Sequence, residues 1–190
     1  MKVYTKSGDK GFSAFADGTR ISKGHLRLES YGLLDELIAT IGGLSSQVLL
    51  ESKTAKLASF LARIQDWLFA LSSEVANPSY DYEKNRNLLL ESEHVSLLEK
   101  EIDSWNTHLP SLRNFLIPGN HILSAQAHVV RTVCRKVERS LVRLSAEEEV
   151  RDVLLIFINR LSDWFFVLAR YFDYLTGTTE KIWVAGSLEV

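Results

Sequence analysis

A short polar stretch near the N-terminus, YTKSGDKGFSAF (residues 4–15), has the residue types that contact phosphate groups. Gly8 and Gly11 lie three positions apart, with lysine and hydroxyl side chains around them. Glycine lets backbone N–H groups approach phosphate oxygens closely, and lysine and serine side chains add further donors. The stretch is not a Walker A loop, because the spacing GxxxxGK[ST] does not occur in the chain. These residues indicate either a phosphate-binding segment or a merely polar tail.

A second set of candidates lies in the segment HVVRTVCRKVERSLV, which has helical periodicity. Arg131, Arg135 and Glu138 are spaced i, i+4 and i+7, so on a helix they fall within roughly 60° of one another. The apolar side chains of the segment lie on a different face. Two interpretations are open: a solvated face with local ion pairs, or a cationic face that binds an anion.

The last long helical segment, FINRLSDWFFVLARYFD, also has a polar stripe in very apolar surroundings. The members of this stripe are Asn159, Asp163, Phe166, Arg170 and Asp173. Asparagine is a poor helix former and needs a hydrogen-bond partner where it is buried. Two adjacent helices with such stripes can line a polar cleft, so the residues alone are compatible with an anion site between them.

Two carboxylates, Asp35 and Glu36, lie among leucines in the segment GLLDELIATIGG. A buried, unpaired carboxylate is costly, so a covered Asp35 needs an arginine from elsewhere as its partner. In the alternative interpretation Glu36 is exposed and Asp35 pairs locally. The sequence leaves both interpretations open.

The elements that must position these residues are long amphipathic segments. Only three prolines occur, and each falls between two such segments, which is typical of helices joined by short connections. Apolar side chains recur at helical spacing, which predicts helices over residues 29–50, 54–75, 92–107, 121–144 and 150–175. No strand pattern competes with them. The sequence therefore predicts an all-α fold, a five-helix up-and-down bundle preceded by an extended N-terminal segment.

The chain has 190 residues and is 46% hydrophobic, which is enough for one domain with a substantial core. We expect a single domain over residues 1–190, with an N-terminal segment at 1–27 and the bundle at 29–176.

Charge, cysteine content and hydropathy exclude several classes of protein. A formal net charge of −2 with interspersed signs argues against bulk nucleic-acid binding, which needs a concentrated basic face. The single cysteine, Cys134, rules out an intramolecular disulfide and favours a reduced compartment. The chain has no apolar run long enough to span a membrane, and its first residues lack a signal core or a transit segment. We expect a cytoplasmic protein without nucleic-acid or membrane partners.

Five motifs, in this order, resemble the PduO-type ATP:cob(I)alamin adenosyltransferases. They are YTKSGDKGFSAF, RISKGHLRLESYGLLDEL, RNFLIPG, RTVCRKVER and NRLSDWFFVLARY, and the resemblance extends over residues 3–183. Each motif is weak by itself, and their order and spacing together are specific. The resemblance implies a five-helix bundle that assembles as a homotrimer with active sites between subunits. It also implies an enzyme that moves the 5′-deoxyadenosyl group of ATP onto the cobalt of cob(I)alamin and releases triphosphate.

The resemblance implies that the N-terminal segment folds over ATP. The residues implied in ATP binding there are Thr5, Lys6, Ser7, Gly8, Ser13, Ala14 and Lys23. Those implied in the fourth and fifth predicted helices are Arg135, Lys136, Glu138, Arg139 and Asn159. In the family's segment RRAER, this chain has lysine and valine in place of the second arginine and the alanine.

The resemblance also implies catalytic roles. Asp35 and Arg131 match a pair that joins neighbouring subunits and orders the site. Phe115 matches an aromatic residue under the corrin ring, where it excludes the axial ligand of cobalt, and Phe166 takes another corrin-side position. From the sequence alone, Phe115 is equally compatible with a plug of the hydrophobic core.

Further positions depart from the usual family pattern, and none of these departures removes a charged site residue. They are Phe12 and Ser13, where many members have GDKGTT, Ile38 in place of asparagine after DEL, Asn120 in place of the second glycine of PGG, and AFADG in place of SLFGG. These departures concern the shape of the N-terminal segment and the approach of the loop at 115–120 to the corrin.

The implied cofactors and partners are ATP with Mg²⁺, cob(I)alamin as the second substrate, an external cob(II)alamin reductase and an acceptor enzyme that uses adenosylcobalamin. The sequence does not identify direct metal ligands. Two rival functions are a carrier that stores or delivers adenosylcobalamin and a structural or regulatory bundle that senses ATP. The cationic cluster favours the enzyme over the carrier, and the nearly complete set of matching residues favours it over the sensor.

Overall fold

The computed structural model describes Tyr4 and residues 6–15 and 17–186. Within this part of the chain the five helices are α1 Leu26–Val48, α2 Ala58–Val75, α3 Ser92–Asn106, α4 Ile122–Ser145 and α5 Asp152–Thr176. Single 3-10 turns at Ala55–Leu57 and Arg86–Leu88 precede α2 and α3. The predicted all-α bundle is confirmed, and the largest shift of a helix end is at the start of α2, at residue 58 where 54 was predicted.

The helices run alternately up and down, and α4 packs antiparallel against both α1 and α5. The hydroxyl oxygens of Ser30 and Ser140 are 2.9 Å apart between α1 and α4. The Cys134 thiol donates to the carbonyl oxygen of Ile158 at 3.3 Å between α4 and α5. The α2 helix packs on α1, and α3 packs on α5. The faces of α1, α4 and α5 that matter for function are therefore neighbours.

The hydrophobic core lies between these helices and is rich in aromatic residues of α5. Trp164, Phe165 and Phe172 are fully buried, as are Leu37 and Ile41 from the predicted apolar stripe of α1. Complete burial of such a side chain stabilises the fold by about 1.5–3 kcal/mol. The core therefore fixes which faces of α4 and α5 remain free for polar contacts.

A short β-hairpin precedes α1, and the sequence analysis did not predict it. Strand β1 (Phe12–Ala14) pairs antiparallel with β2 (Arg20–Ser22), with Ser13 opposite Ile21. Three-residue strands are too short to show an alternating pattern, so the sequence carried no strand signal. Gly18 in the connecting turn has φ 86°, a backbone conformation that favours glycine.

Buried ion pairs hold the end of the bundle at which α1 and α5 begin. Arg27 donates from Nε to Glu148 at 2.8 Å and from Nη1 to the carbonyl oxygen of Val75 at 2.7 Å. Arg151 makes two 2.8 Å bonds to the carboxylate of Glu74. Because Arg27 is in the first turn of α1, these bonds fix the point from which the hairpin extends.

Two irregular segments meet at the opposite end of the bundle. The connection between α3 and α4, residues 107–121, is called the Phe115 loop here, and residues 178–186 after α5 are called the C-terminal segment. Leu116 and Ile182 form an isolated antiparallel bridge between them.

Among the helices of the described residues, none has the length and apolar content that a membrane span requires.

Candidate active site

The cationic residues of α4 line an open groove of about 680 Å³ against the start of α1. The lining residues are Glu29, Leu33, Arg135, Lys136, Glu138, Arg139, Val142 and Arg143. All four residues of this helix that the resemblance assigns to ATP are therefore brought together on one surface. Of the three residues that helical spacing placed on one face, Arg135 and Glu138 line this groove and Arg131 does not.

Two ion pairs at this groove join α4 to α1. Lys136 Nζ contacts Glu36 at 2.8 Å, and Arg143 contacts Glu29 at 3.0 Å. Both pairs are exposed, so each contributes about 0–1 kcal/mol to stability. The guanidinium groups of Arg135 and Arg139 have no hydrogen bond or ion pair within the described residues. Arg131, Arg135 and Glu138 form no ion pair with one another within the described residues, and two cations of the same groove stay available to an anion.

Asn159 of α5 reaches the same groove. Its Nδ2 donates to Oε1 of Glu138 at 2.8 Å, across the α4–α5 contact. The predicted partner of a polar residue on α5 is therefore found on α4, as the two-stripe interpretation expected. The Glu138 carboxylate makes no ion pair with the neighbouring guanidinium groups within the described residues, so their charge is uncompensated there.

The rest of the α5 stripe does not line this groove, so that part of the prediction is wrong. Asp163 is exposed and pairs with Arg160 at 3.0 Å on its own helix. Arg170 and Asp173 are buried at the other end of α5. Asp173 accepts from Ser124 at 3.0 Å, and burial raises its pKa. A 25-residue helix extends over the whole bundle, and a single stripe therefore serves separate sites at its two ends.

Arg131 lies one turn before Arg135 on α4 and is oriented by a residue that the sequence analysis missed. Its Nε donates to Nδ1 of His128 at 3.2 Å. The His128 side chain is buried, with 7% of its surface exposed. Burial, with a smaller contribution from the charge of Arg131, lowers the pKa of His128 to about 4. The imidazole is therefore neutral near pH 7 and can accept this hydrogen bond.

The His128 ring also faces Phe166 of α5, with 6.0 Å between ring centroids. The residue implied for the corrin is thus joined to Arg131 through one side chain. Burial and the nearby charge of Arg135 lower the pKa of Arg131, which stays charged at neutral pH. A histidine one turn before an arginine on a helix was a usable signal, because i, i+3 residues are neighbours.

Asp35 is exposed on α1 and has no ion-pair partner within the described residues. Glu36 is exposed, as one of the two interpretations above expected, and it pairs with Lys136. The local pairing of Asp35 in that interpretation is wrong, because Asp35 has no ion pair within the described residues. The Asp35–Arg131 pair does not form inside one chain either. An exposed aspartate beside a leucine-rich face leaves its carboxylate available to another molecule.

Gly8 and Lys23, two of the predicted phosphate-binding residues, lie close together on either side of the hairpin. A Cβ atom added at Gly8 would lie 3.2 Å from Nζ of Lys23, so the absence of a side chain makes room for this ammonium group. The backbone N–H of Lys23 donates to the carbonyl oxygen of Gly11 at 2.9 Å. Ser13 and Ala14 are in β1, and Thr5 lies outside the described residues. Neither the Lys6 nor the Lys23 side chain bonds to α4 within the described part of the chain.

Phe115 is not a core plug. Its side chain is 79% exposed, which excludes the structural interpretation left open by the sequence. With Trp183 of the C-terminal segment it lines an open groove of about 520 Å³, whose walls are Leu112, Arg113, Asn114, Phe115, Trp183, Val184 and Ala185. An exposed aromatic ring in a largely apolar groove can contact a large flat ligand.

The sequence model of the cobalamin adenosyltransferase family matches residues 3–172, most of the chain. The chain belongs to the cobalamin adenosyltransferase family. The enzyme class and the corrinoid adenosyltransferase function predicted from the five motifs are confirmed at the level of this family.

Curated relatives agree with this family assignment. The corrinoid adenosyltransferase PduO of Citrobacter freundii is 40% identical over 92% of this chain, but the chain spans only about half, 50%, of that protein. The cobalamin adenosyltransferase of Cupriavidus metallidurans is 37% identical over 96% of this chain and 94% of its own length. The family is therefore shared over nearly the whole chain, while some relatives carry a further region.

Solved structures of the PduO-type ATP:corrinoid adenosyltransferase from Lactobacillus reuteri have the same fold. A variant with phenylalanine replaced by alanine, complexed with cobalamin and ATP, has a TM-score of 0.88 and 35% identity, covering 96% of this chain and 99% of that one. A variant with arginine replaced by lysine, complexed with ATP, has a TM-score of 0.86 and 34% identity, covering 96% and 100%.

Proposed function

We propose that this chain transfers the 5′-deoxyadenosyl group of ATP to the cobalt of cob(I)alamin, with triphosphate on the α4 groove and the corrin beside Phe115. The observation that carries the proposal is the pair of uncompensated guanidinium groups, Arg135 and Arg139, next to the Glu138–Asn159 bond. A carrier of adenosylcobalamin has no need for such cations. Cobalamin and ATP are bound in related structures, which supports the same two ligands here.

In this reaction the protein holds the two substrates in line and stabilises the departing triphosphate, because cob(I)alamin itself is the nucleophile. Cobalt(I) supplies the electron pair of the new bond to C5′, and the C5′–O bond breaks with its pair on the departing triphosphate. No general base is needed. Alignment of the two reacting atoms can lower the barrier by about 7–11 kcal/mol. Cations placed where the leaving group gains charge lower it further.

We assign the triphosphate to Arg131, Arg135, Lys136 and Arg139 of α4 and to Lys6 and Lys23 of the hairpin. In a single chain the hairpin lysines do not bond to α4, so these two groups of cations converge through another subunit of a homotrimer. In this arrangement Asp35 of one subunit pairs with Arg131 of the next, which agrees with its exposed carboxylate. The His128 side chain holds Nε of Arg131 and leaves the rest of its guanidinium free for that contact.

Magnesium would accompany the triphosphate and spread its negative charge. The described residues contain no group of three histidine, cysteine or carboxylate side chains that could hold a metal ion. Mg²⁺ commonly takes most of its ligands from substrate phosphates and water and only one or two from carboxylates. The donor set of the groove fits this arrangement, with Glu138 as its carboxylate. Electrons for cob(II)alamin would come from a separate reductase, and the product would pass to an acceptor enzyme.

The test is incubation of the protein with ATP, Mg²⁺ and chemically reduced cob(I)alamin, with the absorption spectrum followed for formation of the cobalt–carbon bond. We expect formation of adenosylcobalamin and release of triphosphate, and strong loss of both in an Arg135→Ala variant. A protein that binds adenosylcobalamin but never forms it from ATP would instead be the carrier. ATP binding without any corrinoid binding would support the regulatory bundle.

A further inference from the structure

The Phe115 loop has few backbone hydrogen bonds of its own. Outside the helices, residues 110–119 make two backbone–backbone hydrogen bonds within the described chain, and both go to the C-terminal segment. Ile117 N donates to the Lys181 oxygen at 2.7 Å, and Trp183 N donates to the Phe115 oxygen at 2.8 Å. The Phe115 and Trp183 rings meet edge to face, with centroids 6.3 Å apart. The position of Phe115 therefore depends on where the C-terminal segment lies.

One buried side chain of α5 fastens both segments. The Arg170 side chain is almost fully buried and donates from Nε to Oε1 of Glu180 at 2.6 Å and from Nη2 to Oε2 at 3.2 Å. The same Nη2 donates to the carbonyl oxygen of Pro110 at 2.7 Å. Glu180 precedes Trp183 by three residues, and Pro110 precedes Phe115 by five. Arg170 thus links the start of the loop to the segment that pairs with its middle.

The chemistry of this contact favours a fixed geometry. A guanidinium group is planar and always charged, so two bonds to one carboxylate set the orientation of both partners. The pair is poorly exposed, and removal of one partner would leave the other charge buried without compensation. Close by, the backbone N–H of Thr178 donates a hydrogen bond to the carbonyl oxygen of Asp173 at 2.8 Å. The C-terminal segment is therefore anchored at its start and then along the loop.

We propose that Arg170 and Glu180 are positioning residues for the adenosyl transfer, because their ion pair sets the place of Phe115 through the C-terminal segment. Neither side chain touches a reacting atom in this proposal. The inference rests on the proposed role of Phe115 at the axial face of cobalt. It gives a function to the C-terminal segment, which lies beyond the residues 3–172 that define the family match.

The first test asks whether Arg170 fastens the segment, and it needs no corrinoid. Trypsin can cut after Lys181, and mass spectrometry identifies the released peptide. We expect this cut to be about tenfold faster in Arg170→Met than in the wild type, because local opening exposes the segment. The matched control is Arg160→Met, which removes an ion-paired arginine of the same helix far from the loop. An unchanged rate in a folded Arg170→Met protein would overturn the inference.

The second test asks whether the fastening matters to cobalt. Electron paramagnetic resonance of bound cob(II)alamin with MgATP should show less of the four-coordinate form in Arg170→Met and in Glu180→Ala than in Arg160→Met. The Glu180→Ala variant leaves the α5 core unchanged, so it serves if Arg170→Met does not fold. A full four-coordinate signal in a variant whose segment is cut faster would overturn the inference while the role of Phe115 stands.

A disulfide between the Phe115 loop and the C-terminal segment provides a rescue experiment. If Arg170 only stabilised the fold, this disulfide would not restore the four-coordinate signal. Leu116 and Ile182 face each other as a non-hydrogen-bonded antiparallel pair, which brings their Cβ atoms close. The only native cysteine, Cys134, is buried and does not compete. Oxidation of Leu116→Cys/Ile182→Cys in the Arg170→Met background should restore the four-coordinate signal, and failure to restore it would contradict the inference. A wild type without that signal would overturn the role of Phe115 itself, and with it the functional half of this inference.

Discussion

The Nε–H of Arg131 donates to Nδ1 of His128 at 3.2 Å, one turn away on α4. This bond requires a neutral imidazole, because a protonated histidine has no acceptor nitrogen. Burial keeps His128 neutral and lowers its pKa to about 4, below the ordinary value near 6.5. The charge of Arg131 acts in the same direction, and the negative charge of Glu180 opposes it. A single buried side chain thus makes the orientation of Arg131 dependent on pH.

The first prediction concerns this pH dependence. Between about pH 6.5 and 4 the unfolded chain binds a proton at His128 and the folded chain does not, so stability present above that range is lost as pH falls. We expect His128 to contribute a loss of about 2 kcal/mol between about pH 7 and pH 4.5. Urea denaturation of wild type and His128→Asn at both pH values measures it. Asparagine keeps an acceptor near the Nδ1 position but does not titrate. Equal losses in both proteins would contradict the prediction.

The second prediction concerns the bond between Asn159 and Glu138. In Asn159→Ala the carboxylate of Glu138 loses its hydrogen-bond donor. We expect it to turn to the neighbouring guanidinium groups and to reduce the positive charge available to triphosphate. We expect MgATP affinity to fall about tenfold, equivalent to about 1.4 kcal/mol, with an unchanged melting temperature. Calorimetric titration measures this affinity. Asp163→Asn, on the same helix but paired with Arg160, is the control and should bind as the wild type does. A wild-type affinity of Asn159→Ala for MgATP would show that this hydrogen bond does not contribute to nucleotide binding.

The sequence predicted the bundle well because helical periodicity is a local signal. The apolar stripe of α1 and the cationic face of α4 each lie within one helix, so spacing alone places their residues on a common side. The hairpin was missed since its three-residue strands have no period of their own. His128 was missed because a histidine on an apolar helix face ordinarily belongs to the core. Its i, i+3 spacing to Arg131 was a signal, and its contacts to Arg131 and Phe166 show that this buried residue also orients a candidate site residue.

The α5 stripe shows where spacing fails. Asn159 and Arg170 share a face by count, yet the first meets α4 in the groove and the second meets the C-terminal segment. Which neighbour covers each end of a long helix is set by chain connections that a periodic pattern does not contain. The exposure of Phe115 was undecidable for the same reason, since the C-terminal segment that holds it is distant in sequence.

The third prediction concerns the hairpin. We expect Lys23→Ala and Gly8→Ala to raise the apparent KM for ATP, the second because a Cβ at this position displaces the Lys23 ammonium group. MgATP should protect residues 6–20 of the wild type from proteolysis more than it protects either variant. Lys10→Ala removes an exposed lysine of the same segment and should behave as the wild type does. Equal cleavage of the wild type with and without nucleotide would mean that the hairpin is not a lid.

The fourth prediction concerns assembly. The exposed carboxylate of Asp35 and the Arg131 guanidinium do not meet within one chain, so in a trimer they would meet between chains. Asp35→Arg places two like charges at that contact, and we expect both trimer and activity to weaken. Sedimentation measures the trimer. Asp35→Arg combined with Arg131→Asp restores opposite charges and should recover assembly without activity. A fully active trimer of Asp35→Arg would show that the pair does not join subunits.

The last prediction concerns Phe115, whose ring is 79% exposed at the end of the bundle. If the ring excludes the axial ligand of cobalt, Phe115→Ala admits water or the dimethylbenzimidazole base. Cob(II)alamin then stays five-coordinate and is hard to reduce. We expect activity to fall strongly with an enzymatic reductant and much less with preformed cob(I)alamin. Electron paramagnetic resonance with MgATP should show the loss of the four-coordinate form directly.

Stability provides the internal check on this prediction. Truncation of a buried phenylalanine costs about 3–5 kcal/mol, whereas an exposed ring should cost far less. We therefore expect the melting temperature of Phe115→Ala to stay close to that of the wild type. Phe69→Ala, which truncates an exposed phenylalanine of α2, is the matched control and should leave both melting temperature and cobalt coordination unchanged. A four-coordinate signal in Phe115→Ala equal to that of the control would show that this ring does not exclude the axial ligand of cobalt.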